Sequence, residues 1–204
     1  MKNEYLILVN AKFPMCTAEP SDLASVSAAF PEIMLRQKAQ TALQNLLLAI
    51  GSGGKIVLVS GYRSYVEQTQ IYESSLVENG EDFTKKFVAL PGCSEHQTGL
   101  AIDLALNQEV IDFIRPDFPY DGICGEFRKL APKFGFIERY PKGKEQITGI
   151  AHEPWHFRYV GCPHAEIITT NNLTLEEYIY DKENEKHDIK MAGQTKDSQF
   201  CSRN

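Results

Sequence analysis

Two separated segments of the sequence carry histidine and carboxylate side chains at spacings that suit a metal site. In the first, His96 and Asp103 lie seven residues apart with a glycine between them, and in the second Glu153 precedes His156 by three residues. Two imidazoles, one carboxylate and an open fourth position are typical of catalytic zinc, whereas structural zinc is usually closed by four protein ligands. We therefore predict that His96, Asp103 and His156 bind one Zn2+ ion. A nearby carboxylate such as Glu153 could take a proton from the water in the open position.

The string HEPWH at residues 152–156 also satisfies the HExxH pattern and offers a second reading. In an HExxH site the two histidines act together because a helix places positions i and i+4 on one face. Pro154 lies in the middle of this string, where it would cost a helix about 3 kcal/mol. We therefore favour His156 as a ligand without His152. Cys93 offers a CxxH alternative, but no second cysteine supports it.

Several of these side chains also have ordinary structural readings. Arg63 could form a surface ion pair, and Gln68 could lie on a helix surface. Asp103 is different because it interrupts an otherwise apolar strand pattern, and a buried carboxylate needs a partner such as a metal ion. We interpret the more distant His164 and His187 as solvated residues without a functional role.

The composition is that of a globular protein with an acidic balance. Apolar residues make up 43% of the 204 residues, and 21 basic against 27 acidic side chains give a formal net charge of −6. Without a basic run, this balance argues against a nucleic acid or an anionic membrane as a partner. The longest apolar runs, residues 5–9 and 46–50, fall far short of the roughly 20 residues that span a bilayer. Five cysteines without a CxxC pair indicate reduced thiols. We therefore expect no membrane anchor and a cytoplasmic location.

The hydrophobic pattern predicts the elements that must position these side chains. Helical spacing covers residues 35–50, and a capping box formed by Ser64 and Glu67 opens a second helix. Strand patterns cover residues 55–60, 100–106, 136–140 and 147–160, and further helices are predicted at residues 125–133, after Pro163 and from Thr174. The mixture of helices and antiparallel strands predicts the α+β class. We expect one domain over residues 1–180 and a polar tail over residues 181–204 that is exposed or disordered.

Three blocks of the sequence together resemble a known enzyme family. They are SGYRS at residues 60–64 followed by Gln68, SEHQTGLAID at residues 94–103, and EPWH at residues 153–156. In this order they resemble the zinc D-alanyl-D-alanine carboxypeptidases and dipeptidases of peptidoglycan metabolism, most closely the vancomycin-resistance VanY and VanXY type. The lack of an apolar segment at the start of the sequence favours the soluble, VanXY-like or dipeptidase-like branch.

The resemblance implies a role for each of the central residues. His96, Asp103 and His156 would hold the zinc ion, and Glu153 would be the general base. Arg63 would stabilise the oxyanion of the tetrahedral intermediate, because a fixed guanidinium opposes charge that grows in the transition state.

The resemblance also implies a substrate, a fold and an activity. Gln68 and Ser94 would contact the terminal carboxylate or the adjacent backbone of a small peptide substrate, and Trp155 would form a wall of the pocket. The implied fold is hedgehog-like and D,D-peptidase-like, with a central, mostly antiparallel sheet flanked by helices. The implied activity is that of a metallopeptidase that removes the C-terminal D-alanine from D-Ala-D-Ala, from the peptidoglycan-precursor pentapeptide, or from both, and so contributes to vancomycin resistance.

Two alternatives stay open on the same scaffold. One is an L,D-carboxypeptidase or a peptidoglycan endopeptidase, and the other is a catalytically silent, zinc-stabilised binding module. The presence of both Glu153 and Arg63 argues against the silent module, which would need neither. The sequence does not decide between dipeptide and pentapeptide or give the oligomeric state, although a loop within residues 105–125 is a candidate for control of substrate length.

Overall fold

The computed structural model describes residues 4–15 and 19–184, which form helices and two antiparallel sheets. The strands are β1 (Leu23–Ser27), β2 (Phe30–Arg36), β3 (Ile56–Ser60), β4 (Ala101–Leu106), β5 (Phe136–Tyr140) and β6 (Glu153–Tyr159). The helices are α1 (Gln37–Ala49), α2 (Tyr65–Asn79), α3 (Glu81–Phe87), α4 (Gly122–Leu130), α5 (Glu145–Thr148), α6 (His164–Thr170) and α7 (175–184), with 3-10 turns at Glu95–Thr98 and Ala131–Phe134. Strands β1 and β2 form a hairpin, and the larger sheet has the order β3-β4-β6-β5. The predicted α+β class with a mostly antiparallel sheet is confirmed.

Strand β4 lies in the middle of the larger sheet and separates the main core from the face that carries its carboxylate. Ile102 and Leu104 are fully buried and belong to the same core cluster as Leu43 and Leu46 of α1. Because side chains alternate along a strand, Asp103 points to the opposite face. The main core therefore fixes β4 and, with it, the direction of this carboxylate.

A second core cluster attaches the C-terminal helices to β5. Ile137 of β5 packs in one cluster with Ile168 of α6 and with Leu175 and Tyr178 of α7. The predicted cap at the start of α7 is present, because the backbone N–H of Thr174 donates to a carboxylate oxygen of Glu177 at 2.7 Å. The C-terminal helices are thus part of the folded body up to residue 184.

Some predicted elements have different bounds in the structure. Leu35 belongs to β2, where it pairs with Ala24 of β1, so the first helix begins two residues later than its apolar spacing predicted. Neither the β1–β2 hairpin nor α3 was predicted. The predicted strand over 147–160 was wrong at its start, because residues 147 and 148 end the short helix α5.

The predicted helix over 125–133 also divides into two parts. It begins earlier, at Gly122, and gives way after Leu130 to a tighter turn that contains Pro132. A proline inside an α-helix has no N–H to donate and clashes with the carbonyl four residues earlier, so the α-helix ends before it.

The predicted tail overlaps α7 at residues 181–184, and the rest of it, residues 185–204, lies outside the described residues together with His187. Among the helices of the described ranges, none is long and apolar enough to cross a membrane.

Candidate active site

The three predicted metal ligands meet beside the middle of the larger sheet. Asp103 of β4 pairs directly with His156 of β6, and His96 lies on the 3-10 turn that leads into β4. Asp103 Oδ2 is 3.1 Å from His96 Nε2, and Asp103 Oδ1 is 2.8 Å from His156 Nδ1. Within the described residues, these three form the one group of His, Cys, Asp and Glu side chains that could hold an ion, with ligand atoms within 4.8 Å of one another.

The turn that carries His96 depends on a glycine at its end. Gly99 adopts a φ of +65°, which is the left-handed region that favours glycine. A Cβ atom at this position would lie 2.9 Å from the side chain of Leu23 and 3.0 Å from that of Arg36. The backbone conformation therefore favours glycine here, and any larger residue would also have to displace side chains of the β1–β2 hairpin.

The donor set and its hydrogen bonds fit a zinc ion. His96 Nδ1 is 2.7 Å from the carbonyl oxygen of Gly61, so it donates its proton there and leaves Nε2 to face Asp103. A hydrogen bond from the second ring nitrogen is the usual way in which a metal-binding histidine is oriented. Two imidazoles and one carboxylate leave the fourth tetrahedral position open.

The charges in this cluster are strongly coupled. Burial acts to raise the pKa of Asp103, but the two histidines outweigh it and hold that pKa well below its usual range. Burial acts to lower the pKa of His156, but the Asp103 carboxylate outweighs it and raises the pKa to about 9. A cation that binds His156 Nδ1 would take the place of a proton between this nitrogen and Asp103 Oδ1.

Glu153 lies at the start of β6, lines the same cavity and is outside the group formed by His96, Asp103 and His156. Its side chain is buried, and burial raises its pKa to about 8. Between the paired positions Glu138–Phe157 and Tyr140–Glu153, β6 has two more residues than β5. This bulge allows Glu153 and His156 to line one cavity although they are an odd number of residues apart in a strand.

The bulge also explains the proline in the HEPWH string. Pro154 lies within it, where the missing N–H costs no ladder hydrogen bond. His152 points to a different neighbourhood, with Nε2 2.7 Å from the hydroxyl of Tyr120 and 3.6 Å from Glu138. These residues do not form the helix that an HExxH site needs, because residues 153–159 are a strand. His152 and Cys93 are both outside the group of predicted metal ligands.

Arg63 is fixed at the cavity wall by two hydrogen bonds. Its Nη1 donates to Gln68 Oε1 at 2.8 Å, and its Nη2 donates to Ser60 Oγ at 2.8 Å. The Ser64–Glu67 capping box is present and starts α2 immediately after Arg63. These bonds fix the position of the guanidinium and use two of its five N–H groups.

The three residues predicted to contact substrate all line a cavity of about 400 Å³, which is also lined by the three predicted metal ligands. Gln68 is buried, and its Nε2 donates to the carbonyl oxygen of Ala89 at 2.7 Å. Since its Oε1 accepts from Arg63, most of its amide is engaged within the protein. Ser94 is buried beside His96, and Trp155 forms part of both the wall and the main core.

Sequence reasoning missed one buried carboxylate behind the cluster. Glu95 is fully buried and forms ion pairs with Arg139 of β5 and Arg158 of β6. The available signal was the presence of two arginines in strands that are otherwise mostly apolar. His164, predicted to be solvated, is partly buried with Nδ1 2.7 Å from the hydroxyl of Tyr178.

Comparison with known proteins decides the family. Residues 32–162 match the family described as VanY: D-alanyl-D-alanine carboxypeptidase. The chain belongs to the VanY family. The resemblance seen in the three sequence blocks is thus confirmed, and the matched range includes every residue of the candidate site.

Individual VanY-family relatives are similar to most of this chain in sequence or in structure. The bifunctional D-Ala-D-Ala dipeptidase and D-Ala-D-Ala carboxypeptidase VanXYC of Enterococcus gallinarum is 46% identical over 175 residues, which are 85% of this chain and 92% of the relative. The crystal structure of the vancomycin resistance D,D-dipeptidase VanXYg in complex with a D-Ala-D-Ala phosphinate analog has a TM-score of 0.85 and 55% identity, and the match covers 88% of this chain and 72% of that one. A VanY D,D-pentapeptidase mutant from the VanB-type resistance cassette, in complex with Zn(II), has a TM-score of 0.70 and 31% identity over 86% of this chain and 99% of that one.

Proposed function

We propose that this protein is a zinc-dependent D,D-peptidase that removes the C-terminal D-alanine from D-Ala-D-Ala, from the peptidoglycan-precursor pentapeptide, or from both. The observation that carries the proposal is the convergence of His96, Asp103 and His156 in one cavity with Glu153 and Arg63. The choice of substrate is supported by VanXYC, named a D-Ala-D-Ala dipeptidase and carboxypeptidase, and by the complex of the D,D-dipeptidase VanXYg with a D-Ala-D-Ala phosphinate analog. By the same likeness, the activity would contribute to vancomycin resistance.

The proposed metal is a single Zn2+ ion held by His96 Nε2, His156 Nδ1 and an oxygen of Asp103. When bound, it would polarise the scissile carbonyl and lower the pKa of the attacking water. The Zn(II) complex of the related VanY enzyme and the donor set support this choice.

The protein side chains would complete the reaction. Burial raises the pKa of Glu153, which makes its carboxylate a stronger base. It would take a proton from the attacking water and pass it to the leaving amine. Arg63, fixed by Gln68 and Ser60, would donate to the oxygen that gains negative charge. A group that does not need to reorganise during the reaction is worth several kcal/mol at such a position.

The substrate would lie in the same cavity. We propose that Ser94 and the remaining N–H of Gln68 contact the terminal carboxylate or the adjacent backbone, and that Trp155 forms the wall. All three side chains are buried in the cavity that the proposed zinc ligands line, which supports these roles. The hydrogen bonds already made by the Gln68 amide give it a second role, which is to orient Arg63.

A reducing compartment fits the thiols of this chain. Cys93, Cys124 and Cys162 are free in the described part of the chain. We propose a cytoplasmic location, and fractionation of producing cells with antibody detection would test it. Recovery in the membrane or exported fraction would contradict the proposal.

The activity is tested with four substrates and a chelator. The purified protein is incubated with D-Ala-D-Ala, the pentapeptide, the corresponding tetrapeptide and a cross-linked muropeptide, each with and without the chelator. We expect zinc-dependent release of D-alanine from one or both of the first two only. Release from the tetrapeptide would instead indicate L,D-carboxypeptidase activity, and cleavage of the cross-link would indicate an endopeptidase. No hydrolysis by zinc-loaded protein would favour the binding module.

A further inference from the structure

Glu95 lies fully buried at the centre of a group of charges next to the proposed metal site. Its Oε1 accepts a hydrogen bond from Arg139 Nε at 2.8 Å and lies 2.8 Å from Arg158 Nη1. Arg139 also donates to both carboxylate oxygens of Glu176 on α7, at 2.6 and 2.8 Å. Two carboxylates thus balance two guanidinium groups, so the group is neutral before any interaction with a histidine is counted.

The second oxygen of Glu95 faces a metal ligand. Glu95 Oε2 lies 3.6 Å from His156 Nε2, and neither atom has a hydrogen-bond partner among the described residues, although both are buried. A buried polar atom without a hydrogen-bond partner is destabilising. The other nitrogen of the same ring, Nδ1, is 2.8 Å from Asp103 Oδ1. The imidazole of His156 therefore lies between two carboxylates, with one nitrogen directed to each.

We propose that Glu95 is a positioning residue that accepts the Nε2 proton of His156 and so directs the Nδ1 lone pair to the metal ion. A neutral imidazole has one N–H, and only the other nitrogen can bind a metal. The two arginines hold Oε1, which keeps Oε2 directed at the ring. The proposal rests on the zinc site of the proposed function and deepens it.

The present distance of 3.6 Å is consistent with this role. Zinc bonds of about 2.0–2.2 Å in a tetrahedral arrangement keep two ligand atoms more than about 3 Å apart, whereas Asp103 Oδ1 and His156 Nδ1 are 2.8 Å apart. An ion between them must therefore move these atoms apart. We expect the ring to move away from Asp103 when an ion binds, which would bring Nε2 towards Glu95 Oε2.

Glu176 provides a matched control. Its carboxylate holds the other end of Arg139 and faces neither histidine of the site. Glu176→Gln therefore disturbs the same buried ion group without changing the partner of His156. Glu95→Gln keeps the shape of the side chain, but a single amide oxygen cannot serve both the arginines and the ring, so an NH2 group meets one of these donors.

The test compares metal binding by the wild-type protein and the two variants. The zinc dissociation constant is measured by competition with a chromophoric chelator, and the Co2+-substituted proteins are compared by their visible absorption spectra. We expect Glu95→Gln to weaken zinc binding about 10- to 100-fold, as is typical of lost partners of metal-binding histidines, and to change the Co2+ spectrum. Glu176→Gln should retain the wild-type spectrum and lose much less zinc affinity than Glu95→Gln, because its carboxylate does not contact His156.

Two results would overturn the inference while the proposed function stands. One is wild-type zinc affinity and spectrum in Glu95→Gln, and the other is an equal loss in both variants, which would indicate a purely structural ion group. A wild-type protein that binds no zinc would instead contradict the proposed function.

A second measurement does not depend on whether a variant folds. Long-range proton–nitrogen NMR spectra of the zinc-loaded wild-type protein report which ring nitrogen of each histidine carries a proton. We expect the proton of His156 on Nε2 and the metal on Nδ1. The opposite assignment would contradict the role of Glu95.

Discussion

Glu153 and His156 lie on the same strand and line the same cavity, but we assign them different roles, general base and metal ligand, because their contacts differ. His156 contacts Asp103 directly, whereas Glu153 is outside the group of ligand atoms. We therefore predict that Glu153→Gln retains about one equivalent of zinc and loses hydrolysis by a factor of roughly 10² to 10⁴, which is the usual contribution of a general base. Metal content by atomic absorption and D-alanine release are the measurements.

His152 provides the control for this prediction, because it is the neighbour of Glu153 and bonds to Tyr120 instead of the cluster. His152→Ala should retain both zinc and most of the activity. Loss of the metal from Glu153→Gln would show that ligand and base are wrongly assigned. A metal-free His152→Ala protein would restore the HExxH interpretation.

The sequence predicts which residues form the metal site, but it does not predict the hydrogen bonds that hold the residues around it. The types and spacing of His96, Asp103 and His156 are enough to indicate a metal site, because two imidazoles and one carboxylate are typical zinc donors. The engagement of Gln68 with Arg63 and Ala89 could not be predicted, because it depends on how the segment after α3 folds back over α2. The same is true of Glu95, whose partners come from strands far away in the sequence.

At the scale of elements, the start of α2 positions Arg63. Ser64 Oγ accepts a hydrogen bond from the backbone N–H of Glu67, and the Glu67 carboxylate accepts one from the backbone N–H of Ser64. Two backbone N–H groups at the start of α2 thus have hydrogen-bond partners. We predict that Ser64→Ala lowers the free energy of unfolding by about 1 kcal/mol, as measured by urea denaturation. Ser74→Ala is the control, because Ser74 is exposed inside the same helix, where alanine is the better helix former. Equal stability of the two variants would contradict the prediction.

Local signals explain which elements the sequence predicts. The capping box of α2 and the alternation of β4 are properties of a few neighbouring residues, and both are present in the structure. The β1–β2 hairpin was missed because Leu35 fits the apolar spacing of α1, and only pairing with Ala24 makes it part of a strand. The bulge in β6 depends likewise on the register with β5, which no local pattern contains.

At the scale of the whole molecule, the buried site makes the stability of the folded protein depend on pH. Burial raises the pKa of Glu153 from 4.5 to about 8, so the folded protein binds this proton more tightly than the unfolded chain does. The stabilisation is fully present below pH 4.5 and is lost as the pH rises through about 8. Glu153→Gln removes this dependence because an amide does not titrate.

We therefore predict that metal-free Glu153→Gln gains stability over the metal-free wild-type protein as the pH rises from about 5 to about 8.5. The gain should be at least about 1 kcal/mol, since one unit of pKa shift corresponds to about 1.4 kcal/mol. Urea denaturation in the presence of a chelator measures it, and Glu73→Gln, which changes an exposed carboxylate of α2, is the control. Added zinc should reduce the difference, because a nearby cation favours the ionised carboxylate. A difference that does not change with pH would mean that Glu153 is not the desolvated proton acceptor on which the proposed reaction depends.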